Sequence, residues 1–252
     1  MQIITVAARK GGDGKTTTAH NVGACLALKG FKVLFIDLDS QANLTRRLNS
    51  LNADLTAYEA LTATRPGQIL ETATEINNNI SLLPGSLNLA NYEKENANKK
   101  GAFDCVNNII RPFKSAFDYA IIDTAATFGL LTVAALAASD RVLIPMRATA
   151  DSLQGVQALK EIIKQVKAGS NKKLNIAGIV PTMYRNRIVN RQLLEIMQQS
   201  FEADGIRLFK PVRDCIAIQE AELLQQDIFT YAKRSNAAAD YEQLTDDLLK
   251  IK

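Results

Sequence analysis

The feature that most constrains this chain is a glycine-rich segment near its start, RKGGDGKTT at residues 9–17. It joins an apolar run at residues 3–8, which predicts a buried strand, to a segment of helical periodicity at residues 16–29. Glycines let backbone N–H groups surround a phosphate closely, and the amino end of the following helix adds a favourable dipole. The segment is therefore predicted to be a phosphate-binding loop (P-loop).

The side chains that follow the glycines predict how a nucleoside triphosphate and its metal would be held. Lys15 is expected to reach the β- and γ-phosphates as a point charge, and the Thr16 hydroxyl is expected to ligate Mg²⁺. The predicted nucleotide contacts in this segment are Gly11, Gly12, Asp13, Gly14, Lys15, Thr16 and Thr17.

Short apolar runs alternate with segments of helical periodicity along the rest of the chain. The predicted strands are 3–8, 32–37, 80–84, 119–123, 142–145 and 174–181, and the predicted helices are 16–29, 130–138, 152–167, 189–203 and 237–249. This order predicts an α/β fold of the P-loop NTPase class, with a mostly parallel, twisted sheet covered by helices on both faces. No linker or repeat interrupts it, so we predict a single P-loop ATPase domain over residues 1–252; residues 49–79 have poor periodicity.

Aspartates follow two of the predicted strands. Asp37 and Asp39 lie two residues apart after the second strand, where they are expected to face the ligand crevice of a parallel sheet. Asp123 closes the apolar run YAIID, an arrangement (Walker B) that holds Mg²⁺ through a water molecule. Thr16 and Asp123 are therefore predicted metal-site residues.

The lysine before the paired glycines, Lys10, departs from the common P-loop pattern. KGGDGKT, DLDSQAN, YAIIDTAATFGLLTVAAL, DRVLIP and LNIAGIVPTMYRNR together resemble the deviant Walker A family, which includes the ParA/Soj partition ATPases and MinD. The resemblance implies ATP as the nucleotide and a homodimer in which Lys10 reaches the phosphates bound by the other subunit. It implies that Lys10, Lys15 and Asp39 are catalytic, with Asp39 acting on the attacking water. It also implies that Asp37 supports the metal site with Thr16 and Asp123.

The same resemblance implies slow basal ATP hydrolysis, stimulated by a ParB-like centromere-binding partner. It assigns adenine contacts to the segment around Pro211, Val212 and Arg213. Many ParA proteins have two prolines where this chain has Ala125 and Ala126. Because the chain starts at the first strand, it is expected to lack an N-terminal helix-turn-helix.

Basic residues are concentrated between positions 160 and 191, with Glu161 as the one acid in that stretch. They are Lys160, Lys164, Lys167, Lys172, Lys173, Arg185, Arg187 and Arg191. The three lysines spaced along one side of the predicted helix 152–167 are expected to face solvent. Such a row suits DNA phosphates without reading sequence. With the ParA resemblance, these residues are predicted to bind double-stranded DNA non-specifically in the ATP-bound dimer.

Composition limits the alternatives. The net charge is only +4, the three cysteines form no CxxC motif, and no run of 18 apolar residues predicts a membrane span. The expected location is the cytoplasm, with nucleoid association in the ATP-bound state. A MinD-like membrane-cycling ATPase, a positioning ATPase for a non-DNA cargo and a nucleotide-dependent scaffold remain alternatives. A MinD-like protein needs a basic amphipathic C-terminal helix, whereas Asp246 and Asp247 lie in the last predicted helix.

Overall fold

The computed structural model describes residues 1–251 and is built around one seven-stranded sheet. The strands are β1 (Gln2–Val6), β2 (Val33–Asp37), β3 (Thr74–Asn77), β4 (Ile80–Leu83), β5 (Tyr119–Asp123), β6 (Arg141–Arg147) and β7 (Asn175–Thr182). Their order across the sheet is β3-β4-β2-β5-β1-β6-β7. Every neighbouring pair is parallel except β3 and β4, which form an antiparallel hairpin at one edge.

Helices cover both faces of the sheet. They are α1 (Lys15–Leu28), α2 (Asn43–Arg47), α3 (Ala57–Thr62), α4 (Pro66–Glu71), α5 (Asn88–Asn96), α6 (Cys105–Ile110), α7 (Leu130–Ala138), α8 (Ala150–Ala168), α9 (Ile188–Ala203), α10 (Ile216–Leu223), α11 (Ile228–Ala232) and α12 (Asn236–Leu249). Two short 3₁₀ turns, Ala102–Asp104 and Arg111–Phe113, flank α6. None of the helices within residues 1–251 is long and apolar enough to span a membrane.

The inner strand β2 shows why the core has two layers. Phe35 packs with α1 and α12 on one face, whereas Leu34 and Ile36 pack with α6 and α7 on the other. Successive side chains of a strand point to opposite faces, so a strand covered on both sides is apolar throughout. The predicted parallel α/β sheet with helices on both faces is therefore confirmed.

The fit of α1 against the sheet depends on one small residue. A Cβ atom at Gly23 would lie 2.2 Å from the ring of Phe35, so only glycine lets the helix approach β2 this closely. This packing fixes the amino end of α1 above the carboxyl ends of the parallel strands. In open α/β sheets that edge is where ligands bind.

All six predicted strands and five predicted helices are present, and their ends differ from the predictions by at most two residues. The strand β3 and seven short helices, α2–α6, α10 and α11, are not predicted from the sequence. These helices have five to nine residues, too few for a helical period to repeat clearly. The edge strand β3 is half exposed and has the polar sequence TEIN, so it lacks the apolar signal of the buried strands.

Candidate functional site

The P-loop has the backbone geometry that an anion site needs. Gly12 and Gly14 each have a φ of +83°, in the left-handed region that favours glycine. Gly14 is also the N-cap residue of α1, and no side chain caps that helix end. The first N–H groups of α1 therefore remain available to a phosphate.

A cavity of about 430 Å³ opens beside this loop, a size in the range of small-molecule sites. The loop residues that line it are Gly11, Gly12, Gly14, Lys15, Thr16 and Thr17. Asp39, Asn43 and Ala126 lie on the same wall, and the far end is formed by Val212, Arg213, Cys215, Ile218 and Tyr241. The cavity thus joins the phosphate loop to the segment in which the sequence resemblance places adenine contacts.

The side chain of Asp13 points away from the cavity and into the protein. The buried carboxylate of Asp13 accepts a hydrogen bond from the Ser152 hydroxyl at 3.0 Å, and burial raises the pKa of this carboxyl. Its carbonyl oxygen accepts a hydrogen bond from the Thr182 hydroxyl at 2.9 Å. Asp13 therefore ties the loop to α8 and β7 through its side chain and its carbonyl oxygen, and its predicted contact with the nucleotide stays a prediction.

Lys10 lies outside the cavity of its own chain. Its ammonium group is 3.1 Å from a carboxylate oxygen of Asp151 at the start of α8, and both side chains are largely exposed. An exposed ion pair of this kind contributes about 0–1 kcal/mol to stability. Lys10 is therefore free to exchange Asp151 for another anion at little cost, and its predicted role across a dimer interface stays a prediction.

Asp123 is the strongest candidate to support a metal ion. Its Oδ2 accepts a hydrogen bond of 2.7 Å from the Thr16 hydroxyl, while its buried Oδ1 has no partner among the described residues. Burial, and then the negative charge of Asp37, raise the pKa of Asp123 to about 7. A hard divalent cation at this point would compensate the buried carboxylate, so the residues present fit Mg²⁺.

The metal would depend on ligands that the protein does not supply. The described residues include no group of three or more His, Cys, Asp or Glu side chains placed to hold an ion. Magnesium usually keeps several waters and takes phosphate oxygens as ligands, with only one or two carboxylates. The site therefore suits a metal that arrives with a phosphorylated ligand.

The carboxylate of Asp37, which is predicted to support the metal, accepts hydrogen bonds from the protein itself. One carboxylate oxygen accepts hydrogen bonds from the Thr45 N–H and hydroxyl at 2.9 and 2.7 Å, and the other accepts one from the Asp39 N–H at 3.1 Å. Burial raises its pKa to about 6. Asp37 therefore holds the turn after β2 and does not line the cavity, so its support of the metal is limited to its charge next to Asp123.

Asp39, by contrast, does line the cavity. Its Oδ1 accepts a hydrogen bond from the Gln41 N–H at 3.0 Å, and its Oδ2 accepts none from the described residues. One oxygen thus fixes the side chain while the other remains available to a water molecule. The predicted action of Asp39 on the attacking water stays a prediction.

Two residues of the cavity wall, Arg47 and Glu222, have no signal in the sequence. Arg47 and Glu222 meet at 2.7 Å, and both contact the Thr17 hydroxyl, at 2.9 and 2.8 Å respectively. Arg47 and Glu222 are 175 positions apart, since they carry the numbers 47 and 222. No local sequence pattern indicates such a contact.

Of the three residues predicted near adenine, two line the cavity and one does not. Val212 and Arg213 line the cavity, whereas Pro211 does not. The Arg213 guanidinium binds the carboxylate of Asp240 at 2.9 and 2.7 Å. The Arg213 guanidinium is thus held by α12, whereas Val212 gives this part of the cavity wall an apolar surface.

The predicted basic surface divides into two groups. Lys172 and Lys173 precede the amino end of β7, whereas Arg185 and Arg187 follow its carboxyl end. The Lys160 ammonium group lies 2.5 Å from a carboxylate oxygen of Asp204, and the Lys160 side chain is only 20% exposed. The prediction that all three lysines of α8 face solvent is therefore wrong for Lys160.

The arginines at the carboxyl end line a second cavity of about 370 Å³. Arg147, Arg185 and Arg187 surround it, and Asp214 pairs with Arg185 at 2.6 Å. This arginine cavity shares a wall with the P-loop cavity: Thr182, Met183, Asp214 and Gln219 line both. Arg147 lies outside the basic stretch 160–191, so it is not among the predicted DNA-binding residues.

Comparisons with known proteins agree with this geometry. Residues 1–176 match the family model described as an AAA domain. The chain is 33% identical to the chromosome partitioning protein ParA of Myxococcus xanthus, over 99% of this chain and 88% of that protein. It is 32% identical to the sporulation initiation inhibitor protein Soj of Bacillus subtilis, over 98% of each chain.

A solved structure has the same fold as this chain. It is a cobyrinic acid a,c-diamide synthase from Mycobacterium smegmatis with a bound ATP analog and magnesium, with a TM-score of 0.85 and 25% identity. The match covers 99% of this chain and 95% of the synthase. The similarity confirms the predicted P-loop fold class.

Proposed function

The chain belongs to the ParA/Soj family of partition proteins, and from this premise we propose that it is an ATP-dependent, dimerising ATPase that binds DNA non-specifically. With a ParB-like partner that stimulates slow hydrolysis, it would segregate plasmid or chromosomal DNA. The single observation that carries this proposal is the arginine cavity, which shares a wall with the P-loop cavity. The nucleotide would therefore lie on one side of this shared wall, and DNA phosphates would lie on the other.

The P-loop cavity supports MgATP as the ligand. Lys15 and the N–H groups at the start of α1 would bind the phosphates, and Thr16 with Asp123 would hold the metal. When bound, Mg²⁺ supplies charge neutralisation at the β- and γ-phosphates. The same fold in the synthase accommodates an ATP analog with magnesium, which agrees with this assignment.

Hydrolysis would depend on Asp39. Phosphoryl transfer needs little covalent chemistry from the protein, but it needs a water molecule in line with the bond that breaks. The Asp39 oxygen that accepts no hydrogen bond can accept one from that water, while the bond from Gln41 keeps the carboxylate in place. Asp39 would orient the water and accept its proton.

Dimerisation would cover the mouth of the cavity. Met183, Ile216 and Leu223 lie in or next to residues of the cavity wall, and they are 39%, 73% and 84% exposed. Exposed apolar side chains grouped around a binding site are typical of an interaction surface. In the closed dimer, Lys10 would leave Asp151 for the phosphates of the other subunit.

DNA binding is tested by comparing arginines of the arginine cavity with Lys173, which lies outside it at the opposite end of β7. With MgATP, Arg147→Gln and Arg187→Gln should each weaken binding to duplex DNA of any sequence, about 10-fold, and lower the salt dependence by about one phosphate contact. Lys173→Gln should have a smaller effect. Wild-type binding that is indifferent to ATP would remove the proposal, and an equal loss in Lys173→Gln would contradict the assignment of DNA binding to the arginine cavity.

The MinD-like alternative is less well supported. The apolar side chains of α12 are used inside the protein, because Tyr241, Leu244 and Leu248 are buried against the core that includes α1. Asp247 on the same helix pairs with Lys250 at 3.2 Å. The helix therefore presents no free apolar face to a membrane surface.

A further inference from the structure

Glu222 occupies an unusual position for a carboxylate. It lies on the wall of the P-loop cavity, and its Oε1 is 2.8 Å from the Thr17 hydroxyl, beside the phosphate loop. A negative group this close to bound phosphates would repel them. Its presence therefore needs a physical account.

Arg47 removes most of that repulsion. Its guanidinium contacts the same oxygen of Glu222 at 2.7 Å, and its side chain is only 16% exposed. The charge of the carboxylate is thus locally balanced, and its orientation is fixed from two sides by Arg47 and Thr17. The second oxygen, Oε2, accepts no hydrogen bond from the described residues.

The position of Glu222 along the cavity indicates which part of a nucleotide it would meet. Thr17 belongs to the phosphate end, whereas Ile218 and Gln219, one turn earlier on α10, line the end that includes Val212 and Cys215. Glu222 lies where these two ends join. In a nucleotide the sugar joins the phosphates to the base, and its hydroxyls are the donors that a carboxylate accepts.

We propose that Glu222 is a sugar-specificity residue, whose free oxygen accepts a hydrogen bond from a ribose hydroxyl and so selects ribonucleotides over deoxyribonucleotides. Arg47 is its positioning residue. The inference rests on the proposed function, because it requires that the cavity bind a nucleoside triphosphate. An acidic side chain that binds a ribose hydroxyl is a recognised device in other nucleotide sites.

The test is the ratio of kcat/KM for ATP to that for 2′-deoxy-ATP and for 3′-deoxy-ATP. Wild type should prefer ATP over at least one analogue by about 10- to 100-fold, the range expected when a hydrogen bond to a charged group is lost. Glu222→Ala should bring that ratio close to one by slowing ATP more than the analogue. Glu222→Gln, which keeps the shape and an acceptor oxygen, should give an intermediate ratio.

Glu220→Ala is the matched control, because Glu220 lies on the same helix but accepts a hydrogen bond from the Tyr231 hydroxyl and does not line the cavity. It should keep the wild-type ratio. Arg47→Lys should lower the ratio partly, since a lysine can neutralise Glu222 but lacks the planar fork with which two nitrogens of Arg47 contact Glu222 and Thr17. The ratio compares two substrates on the same protein sample, so a loss of folded protein cancels.

Equal use of ATP and both analogues by wild type, or an unchanged ratio in Glu222→Ala, would overturn the inference. Calorimetric measurement of binding of the three nucleotides separates a failure of the sugar contact from a failure of the proposed function. A protein that binds ATP and both deoxy analogues with equal affinity contradicts the sugar contact alone. A protein that binds none of them contradicts both.

Discussion

The two ends of the P-loop cavity are constructed differently. The phosphate end comes from one continuous segment, Gly11 to Thr17, and it depends on glycine conformation and on the amino end of a helix. Much of the remaining lining is assembled from α2, α10, α12 and the segment before α10, which are far apart in the sequence. A site formed by local backbone geometry can be predicted from sequence, whereas one formed by long-range contacts depends on the fold.

The largest expected effect lies at the phosphate end. Lys15→Ala removes the one lysine of the loop that lines the cavity, and a charge partner in a buried site is typically worth several kcal/mol. We expect the Kd for MgATP to rise at least about 1,000-fold, measured by calorimetry. Lys10→Ala should keep binding in the monomer, because Lys10 lies outside the cavity. Similar losses in the two variants would break the distinction drawn between these lysines.

Asp39→Ala should separate hydrolysis from binding. Loss of a residue that orients and deprotonates water lowers kcat by about 100-fold or more, while the phosphate contacts remain. Single-turnover phosphate release and calorimetry on the same sample measure both quantities. An unchanged kcat would show that another residue handles the water.

His20 is buried on the side of α1 behind the P-loop, one helical turn after Thr16. Burial lowers its pKa from 6.5 to about 4. The unfolded chain therefore takes up a proton first, and stability falls as the pH drops from about 6.5 toward 4. At pH 5 this amounts to about 2 kcal/mol.

The variant His20→Leu should lose this component of the pH dependence. Urea unfolding at pH 8 and pH 5 gives the difference between variant and wild type at each pH, which removes the contribution of other titrating groups. A variant whose stability falls with pH as steeply as that of wild type would show that the imidazole stays protonated or exposed.

The smallest effect is expected at the base end. Arg213 is 46% exposed and is bound to Asp240. Arg213→Gln should therefore raise the KM for ATP by less than about 3-fold, in the range of exposed ion pairs. An increase of 10-fold or more would show that the guanidinium leaves Asp240 to contact the nucleotide, and the base end would then depend on charge as the phosphate end does.

The same contrast explains how far the sequence could be interpreted. The buried strands, the P-loop and the position of Asp123 follow from apolar runs, glycines and a charge at a strand end. Side-chain partners are harder to predict, because nothing in the sequence shows that the carboxylates of Asp13 and Asp37 accept hydrogen bonds from Ser152 and Thr45. The pair formed by Arg47 and Glu222 has no sequence signal, because neither residue indicates the other until the fold brings them together.

The most direct test of the proposed function is the mass of the Asp39→Ala variant in solution, measured by light scattering with saturating MgATP and with ADP. The single chain has a mass of 27.6 kDa. The proposal predicts twice that mass with MgATP and the single-chain mass with ADP, and it predicts that adding Lys10→Ala abolishes the larger species. A single-chain mass in both nucleotides would contradict the proposal that two subunits close over the triphosphate.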